Sequence, residues 1–138
     1  MINNTLLKIL LLTSAFSLAI HFYISFFLSD VCVWNPGVAF GLMGFLPQNF
    51  LSTFVLFFLF TVVYIFIKFY RKYTEVAFIL FFASFGNLVD RVFHGGVCDY
   101  VKLRFIINFP IFNLNDIFIL VSLSLIFFII FYDSAHRK

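Results

Sequence analysis

Charged residues are so widely spaced along this chain that the gaps between them outline its architecture. Lys8 and Asp30 enclose 21 uncharged residues, and Asp30 and Lys68 enclose 37 more, broken by Pro36, Gly37, Gly41, Gly44 and Pro47. A gap of 14 separates Glu75 from Asp90, and one of 16 separates Asp116 from Asp133. A helix that crosses the hydrocarbon core of a bilayer needs about 20 mostly apolar residues. The pattern therefore predicts four such helices, near residues 6–28, 50–69, 74–92 and 114–132. The third and fourth gaps are short, which places Asp90 and Asp116 inside helix ends close to the membrane surface. The expected fold class is an all-α membrane protein, one integral-membrane domain over residues 1–138 with four transmembrane helices. A small β or loop element and a short surface segment are expected on its outer side.

Composition agrees that the solvent is lipid. Of 138 residues, 64% are hydrophobic and 11% charged, against about 25% charged in an ordinary soluble domain. The 25 Phe residues read as lipid contact and helix packing. The chain is too short for two globular domains and long enough for four crossings.

The formal charge of +3 is not a nucleic-acid footprint, because the basic residues lie between the greasy runs. Lys8, Lys68, Arg71, Lys72, Arg137 and Lys138 fall on one side, and Arg91, Lys102 and Arg104 on the other. The excess of basic residues marks the cytoplasmic side, so both termini are expected there and residues 29–49 and 93–113 face outward. A cleaved signal peptide over the first run is disfavoured: the run exceeds the usual 7–15 residues and no small-x-small site follows it. Cys32 and Cys98 both fall outward, where a disulfide is allowed. Two lone cysteines do not establish one, and small buried hydrophobes are the reading adopted. His21, His94 and His136 are scattered without ligand spacing, so no metal and no cofactor are expected.

Polarity gathers in three outward stretches, "WNPGVAFG" (34–41), "GNLVDRVFHGGVCDY" (86–100) and "FNLND" (112–116). Asn87, Asp90 and Arg91 stand at i, i+3 and i+4 on the third helix, which sets Asn87 beside both the others. Charges at membrane depth are costly and face an interior, a partner or a cavity. An Asp and an Arg near a helix end also serve simply to orient the chain and tie it to the next loop. Gly95 and Gly96 break the helix. The alternation from Val101 to Phe105 indicates a strand or a surface-lying segment, with Lys102 and Arg104 reaching lipid head groups. Asp116, at the start of the fourth helix, has an ordinary explanation as part of a helix cap with Asn113 and Asn115. The chemical alternative needs a second acid. Two adjacent carboxylates share a proton, so one activates a water while the other polarises a carbonyl. Asp90, Asp99 and Asp116 all lie at this depth, and spacing alone does not select the pair.

Two other readings use the same residues. A small transporter or ion-conducting protein would bind a proton or cation at Asp90 and Asp116, but polarity gathers on one side and no acid lies midway through a helix. A hydrolase using Cys98 with His94 suffers from the tandem glycine between them, which removes the rigid helix that would align the two.

The three stretches, taken in order, resemble lipoprotein signal peptidase (signal peptidase II), a family of four-helix aspartyl proteases of the bacterial inner membrane. The family patterns N-x-G-x-A-F, G-N-x-x-D-R, G-x-V-x-D-[FY] and F-N-x-A-D meet "NPGVAF" (35–40), "GNLVDR" (86–91), "GGVCDY" (95–100) and "FNLND" (112–116). The resemblance implies that Asp99 and Asp116 are the catalytic pair and that Asn113 hydrogen-bonds within their site. It implies that Asn87 and Arg91 hold the substrate backbone and its lipid-bearing residue, with Asn35 touching substrate from the outward loop. Asp90 would be a structural anchor, and Gly37 would permit the turn beside Asn35. The implied substrate is a diacylglyceryl-modified prolipoprotein, cut just before the lipidated cysteine. The implied protein needs no cofactor, contacts membrane lipid and no nucleic acid, is monomeric, and works at the outer face of the inner membrane. Two features depart from the family. "LTSAFSLAIHF" (12–22) lacks the acid and lysine of D-Q-x-[ST]-K, with His21 the candidate to replace a polar contact, and Asn115 stands where the family keeps a small residue. A catalytically impaired member is the alternative these departures leave open.

Overall fold

The computed structural model describes residues 3–37, 46–103 and 110–136. The Val38–Phe40 end of "NPGVAF", Gly41, Gly44, Arg104, Phe105, Phe109, Arg137 and Lys138 lie outside them. Four helices dominate: α1 (Asn4–Phe27), α2 (Gln48–Phe69), α3 (Thr74–His94) and α4 (Leu114–His136). Each is long and apolar enough to cross a membrane. Strand β1 (Val33–Asn35) follows α1 and strand β2 (Val97–Asp99) follows α3. They pair antiparallel, with Val33 opposite Asp99, Trp34 opposite Cys98 and Asn35 opposite Val97. This pairing gathers the α1–α2 and α3–α4 connections at one end of the bundle.

Helix α3 is the hub and packs on α1, α2 and α4. Its buried Ala77, Ala83, Ser84 and Gly86 let neighbouring backbones approach, as small residues do where lipid supplies no hydrophobic drive for association. Buried residues recur about every two turns on α2 (Leu51, Leu59, Phe66) and α4 (Asn115, Ser122, Ile129). At the end away from the strands, Leu7, Phe66, Val76, Ala77 and Ile129 form an apolar core. Helix α1 is organised the opposite way to a soluble helix. Ser14, Ser17, His21 and Ser25 are buried, while Leu12, Phe16, Tyr23 and Phe27 are exposed. Lipid solvates the second set without cost, whereas the first set needs partners inside the protein.

The helix ends have local causes. Helix α3 stops where Gly95 takes φ 73° and its N–H donates to the Arg91 carbonyl at 3.1 Å, a left-handed cap that glycine adopts without penalty. Gly96 follows under β1, where a Cβ would come within 3.1 Å of the Asn35 carbonyl oxygen. Helix α4 runs to His136, four residues past the end the apolar run indicated, because backbone hydrogen bonding continues through polar side chains; His136 stacks on Tyr132 with ring centroids 4.1 Å apart. Of the surface segment, Val101 pairs with Phe112 across an isolated antiparallel bridge and Lys102 is exposed.

The cysteine reading is corrected. Cys32 and Cys98 form a disulfide with Cα atoms 4.9 Å apart. The sequence allowed the bond but did not show that β1 and β2 pair, and that pairing is what brings the two thiols together. A disulfide is worth about 2–4 kcal/mol in small proteins. Here about 2 kcal/mol is expected, because α2 and α3, which lie within the closed loop, stay membrane-inserted when the ribbon opens. Thermal unfolding in detergent should show this loss for Cys32→Ser, and wild type treated with dithiothreitol should match it.

Candidate active site

The site is built on the first turn of α4. Asn113 precedes the helix, and its Oδ1 accepts the Asp116 N–H at 3.1 Å; in return Asp116 Oδ2 accepts the Asn113 N–H at 3.0 Å. This is a reciprocal capping box that satisfies backbone donors which the helix leaves unpaired. Tyr100 adds to the cap, its hydroxyl oxygen accepting the Leu114 N–H at 3.3 Å. The remaining amide of Asn113 turns away from the helix, and Nδ2 donates to Asp99 Oδ1 at 3.0 Å. One asparagine therefore touches both carboxylates.

Each carboxylate has a second amide. Asn35 Nδ2, from β1, donates to Asp99 Oδ2 at 3.0 Å, and Asn87 Nδ2, from α3, donates to Asp116 Oδ1 at 2.9 Å. Asp99 is nearly fully buried. Burial pushes its carboxyl up to about 6 and the neighbouring Asp116 adds to the rise, against the pull of the Asn35 and Asn113 amides and of His21. A carboxyl in that range holds a proton in mildly acidic conditions and surrenders it near neutrality, the property acid–base work requires.

Around this centre the other residues brace the frame. Asn35 Oδ1 accepts the Gly37 N–H at 2.9 Å, which closes a turn through Pro36. The buried Arg91 guanidinium donates to the carbonyls of Pro36 (3.2 Å) and Gly37, and to Gln48 Oε1 (3.1 Å). Gln48 in turn donates to the Pro36 carbonyl at 2.7 Å. Asp90 is fully buried; its Oδ2 accepts the Cys98 N–H at 2.9 Å and lies 2.8 Å from His21 Nε2. A groove of about 310 Å³ runs between α2 and α3, lined by Asn49, Ser52, Thr53, Leu56, Leu88 and Val92, beside Gln48 and Arg91.

The structure thus brings Asp99, Asp116, Asn35, Asn87 and Asn113 into one hydrogen-bonded cluster. It places Asp90, Arg91 and Gly37 in the supporting layer. Asn35 contacts the Asp99 carboxylate itself, and Arg91 grips the protein's own backbone. Asn87 Oδ1 is buried with no hydrogen-bond partner among the described residues, which leaves an acceptor within the cluster. Gln48 was missed by sequence reasoning, since a lone Gln at a helix start carries no signal. His21 was named as a candidate polar contact, but Ser17 was missed, although four polar residues recurring at helical spacing in an otherwise greasy α1 were visible.

Comparison with known proteins gives a consistent result. The family model described as signal peptidase (SPase) II matches residues 2–132. A lipoprotein signal peptidase from Helicobacter acinonychis (strain Sheeba) is 34% identical over 106 residues, which cover 75% of this chain and 68% of that protein. One from Staphylococcus aureus (strain MRSA252) is 35% identical over 109 residues, 75% of this chain and 66% of that protein. One from Rickettsia conorii (strain ATCC VR-613 / Malish 7) is 32% identical over 105 residues, 72% of this chain and 52% of that protein. A solved structure described as a bacterial membrane enzyme, determined by the in meso method, superposes with a TM-score of 0.72 at 22% identity. That match covers 98% of this chain and 93% of the solved one, and it shows the shared fold.

Proposed function

Because this chain belongs to the signal peptidase II family, a family of multi-pass bacterial membrane proteins, we propose that it is an aspartyl endopeptidase that removes signal peptides from prolipoproteins by means of Asp99 and Asp116. The observation that carries this reading is Asn113, bonded to both carboxylates at once. The pair holds one proton. Its ionised member takes a proton from a water as the water oxygen bonds to the scissile carbonyl carbon, and its protonated member stabilises the carbonyl oxygen as negative charge develops there. Collapse of the tetrahedral intermediate breaks the C–N bond, and the leaving nitrogen takes up a proton from the pair. Asn87 Oδ1 is placed to accept a substrate backbone N–H. The substrate carries a diacylglyceryl cysteine and is cut before it, and its acyl chains lie along the mostly apolar groove between α2 and α3. The six-to-three excess of basic residues at the opposite end supports cytoplasmic termini and a site at the outer face. Expression in bacteria depleted of their own enzyme tests the proposal: prolipoproteins that accumulate at precursor size should return to mature size.

A pH dependence follows. With both carboxyls protonated the site has no base, and with both ionised it has no acid, so activity peaks while the pair holds one proton. Burial pushes the Asp99 carboxyl up to about 6 in the free protein, so the pair keeps its shared proton to about that pH or above, where the alkaline limb begins. kcat/KM should fall by about tenfold per unit as pH rises beyond this value. The corresponding limb of kcat should lie at higher pH, because bound substrate excludes water and disfavours the charged form. Rate measurements with detergent-solubilised protein and a lipidated peptide give both limbs. A kcat/KM that stays flat from pH 5 to pH 8 would exclude a proton-sharing pair of this kind.

A further inference from the structure

Helix α1 contributes no acid to the site, yet it reaches both acid-bearing segments. His21, fully buried, lies with Nε2 2.8 Å from Asp90 Oδ2. With its hydrogen on Nε2, the His21 ring donates to that oxygen. The same Asp90 oxygen accepts the N–H of Cys98 at 2.9 Å, the residue immediately before Asp99. One turn earlier on α1, Ser17 Oγ donates to Asn115 Oδ1 at 2.8 Å. Asn115, fully buried, immediately precedes Asp116. The two grips converge over Gly86, where a Cβ would come within 2.6 Å of Asn115 Nδ2, 2.9 Å of Leu18 Cδ1 and 3.0 Å of His21 Cδ2. A larger residue there would push the ends of these side chains aside.

We infer that Ser17 and His21 are positioning residues which set the separation of the two carboxylates, His21 holding the strand of Asp99 through Asp90 and Cys98, and Ser17 holding the first turn of α4 through Asn115. This inference rests on Asp99 and Asp116 being the working pair. Both links run through groups adjacent to a carboxylate, so loss of either lets that carboxylate drift without removing any atom that touches substrate. A misplacement of about 1 Å can cost ~10²-fold in rate. It also relaxes the mutual repulsion that raises the pair's upper titration, so the alkaline limb of kcat/KM moves to lower pH. Among the described residues, the other titratable or charged groups around the pair are Asp90, Arg91 and His94 from α3 and Tyr100 beyond β2. Helix α2 brings Gln48, its charged Lys68 lying at the other end of the bundle.

The test measures kcat, KM and the pH profile per folded molecule for Ser17→Ala, His21→Leu and His21→Gln, counting folded molecules by the amplitude of the cooperative thermal unfolding transition in detergent. Ser17→Ala and His21→Leu are expected to lower kcat by about tenfold or more and to leave KM within about threefold; Ser17→Ala also moves the alkaline limb to lower pH, whereas in His21→Leu the lost pull of His21 on Asp99 opposes that shift. His21→Gln keeps a donor near Nε2 and should retain most of kcat. A wild-type kcat and pH limb per folded molecule in Ser17→Ala overturns the inference, even if His21→Leu fails to fold. Activity that falls only with the folded fraction overturns it too. Asp99→Asn and Asp116→Asn belong in the same series. If they process substrate, the pair itself is wrong; if they are inert while the α1 variants behave as wild type, only the positioning role fails.

Discussion

Asp99→Asn and Asp116→Asn will each stop prolipoprotein processing, lowering kcat/KM by about 10³-fold or more. Asparagine has the size and shape of aspartate but neither gains nor gives up a proton near neutral pH, so either change leaves a pair that cannot exchange its proton with water and substrate. The fold should survive both. In Asp116→Asn the new carbonyl can still accept the Asn113 N–H, while the new NH₂ meets the amide donor of Asn87. In Asp99→Asn two donors, Asn35 and Asn113, face a group with one acceptor. Each variant thus loses about one hydrogen bond, worth ~1 kcal/mol. The double variant should be no worse than either single one, because groups that act as a unit lose their effect together. Immunoblots of a lipoprotein in depleted cells, with protein levels checked by an epitope tag, give the result. Mature lipoprotein from either single variant, at a normal rate, would remove that residue from the mechanism.

The four helices were legible because charge is forbidden over a bilayer's thickness, and that prohibition is written along the chain. The end of α3 was legible in Gly95 and Gly96. The site was legible only in part. Asp90, Asp99 and Asp116 are all visible acids at one depth, yet their separation in sequence says nothing of which two face each other. That is decided by the Val101–Phe112 bridge and the Asn113 amide, which bring the chain after β2 beside the start of α4, while the pairing of β1 with β2, residues 66 apart at the disulfide, adds Asn35. Strands of three residues carry almost no pattern, so neither the pairing nor the cystine it creates could be read beforehand. Asn115 shows the same limit. Set against a family that keeps a small residue there, it looked like a defect, but the space it fills is lent by Gly86 and its partner is Ser17, 98 residues away. The polar face of α1 was available as a helical spacing of Ser14, Ser17, His21 and Ser25; only the packing says that it is turned inward.

Asn113→Ser should separate the two jobs that converge on one side chain. Serine caps helices about as well as asparagine, and its oxygen can still accept the Asp116 N–H that Asn113 Oδ1 now accepts. What it lacks is the amide that reaches Asp99. Its stability should therefore fall by about 1 kcal/mol, for the lost hydrogen bond to Asp99, while Asn113→Ala, which loses the cap as well, falls by about 2–3 kcal/mol. Activity should not follow stability. Both variants free Asp99 from Asn113 and break the bridge between the carboxylates, so kcat should drop by a similar factor in each, about 10²-fold. Unfolding curves and single-turnover rates on the same preparations decide the matter. An Asn113→Ser protein with wild-type kcat would reduce "FNLND" to a helix cap, and the two acids would need another residue to hold them together.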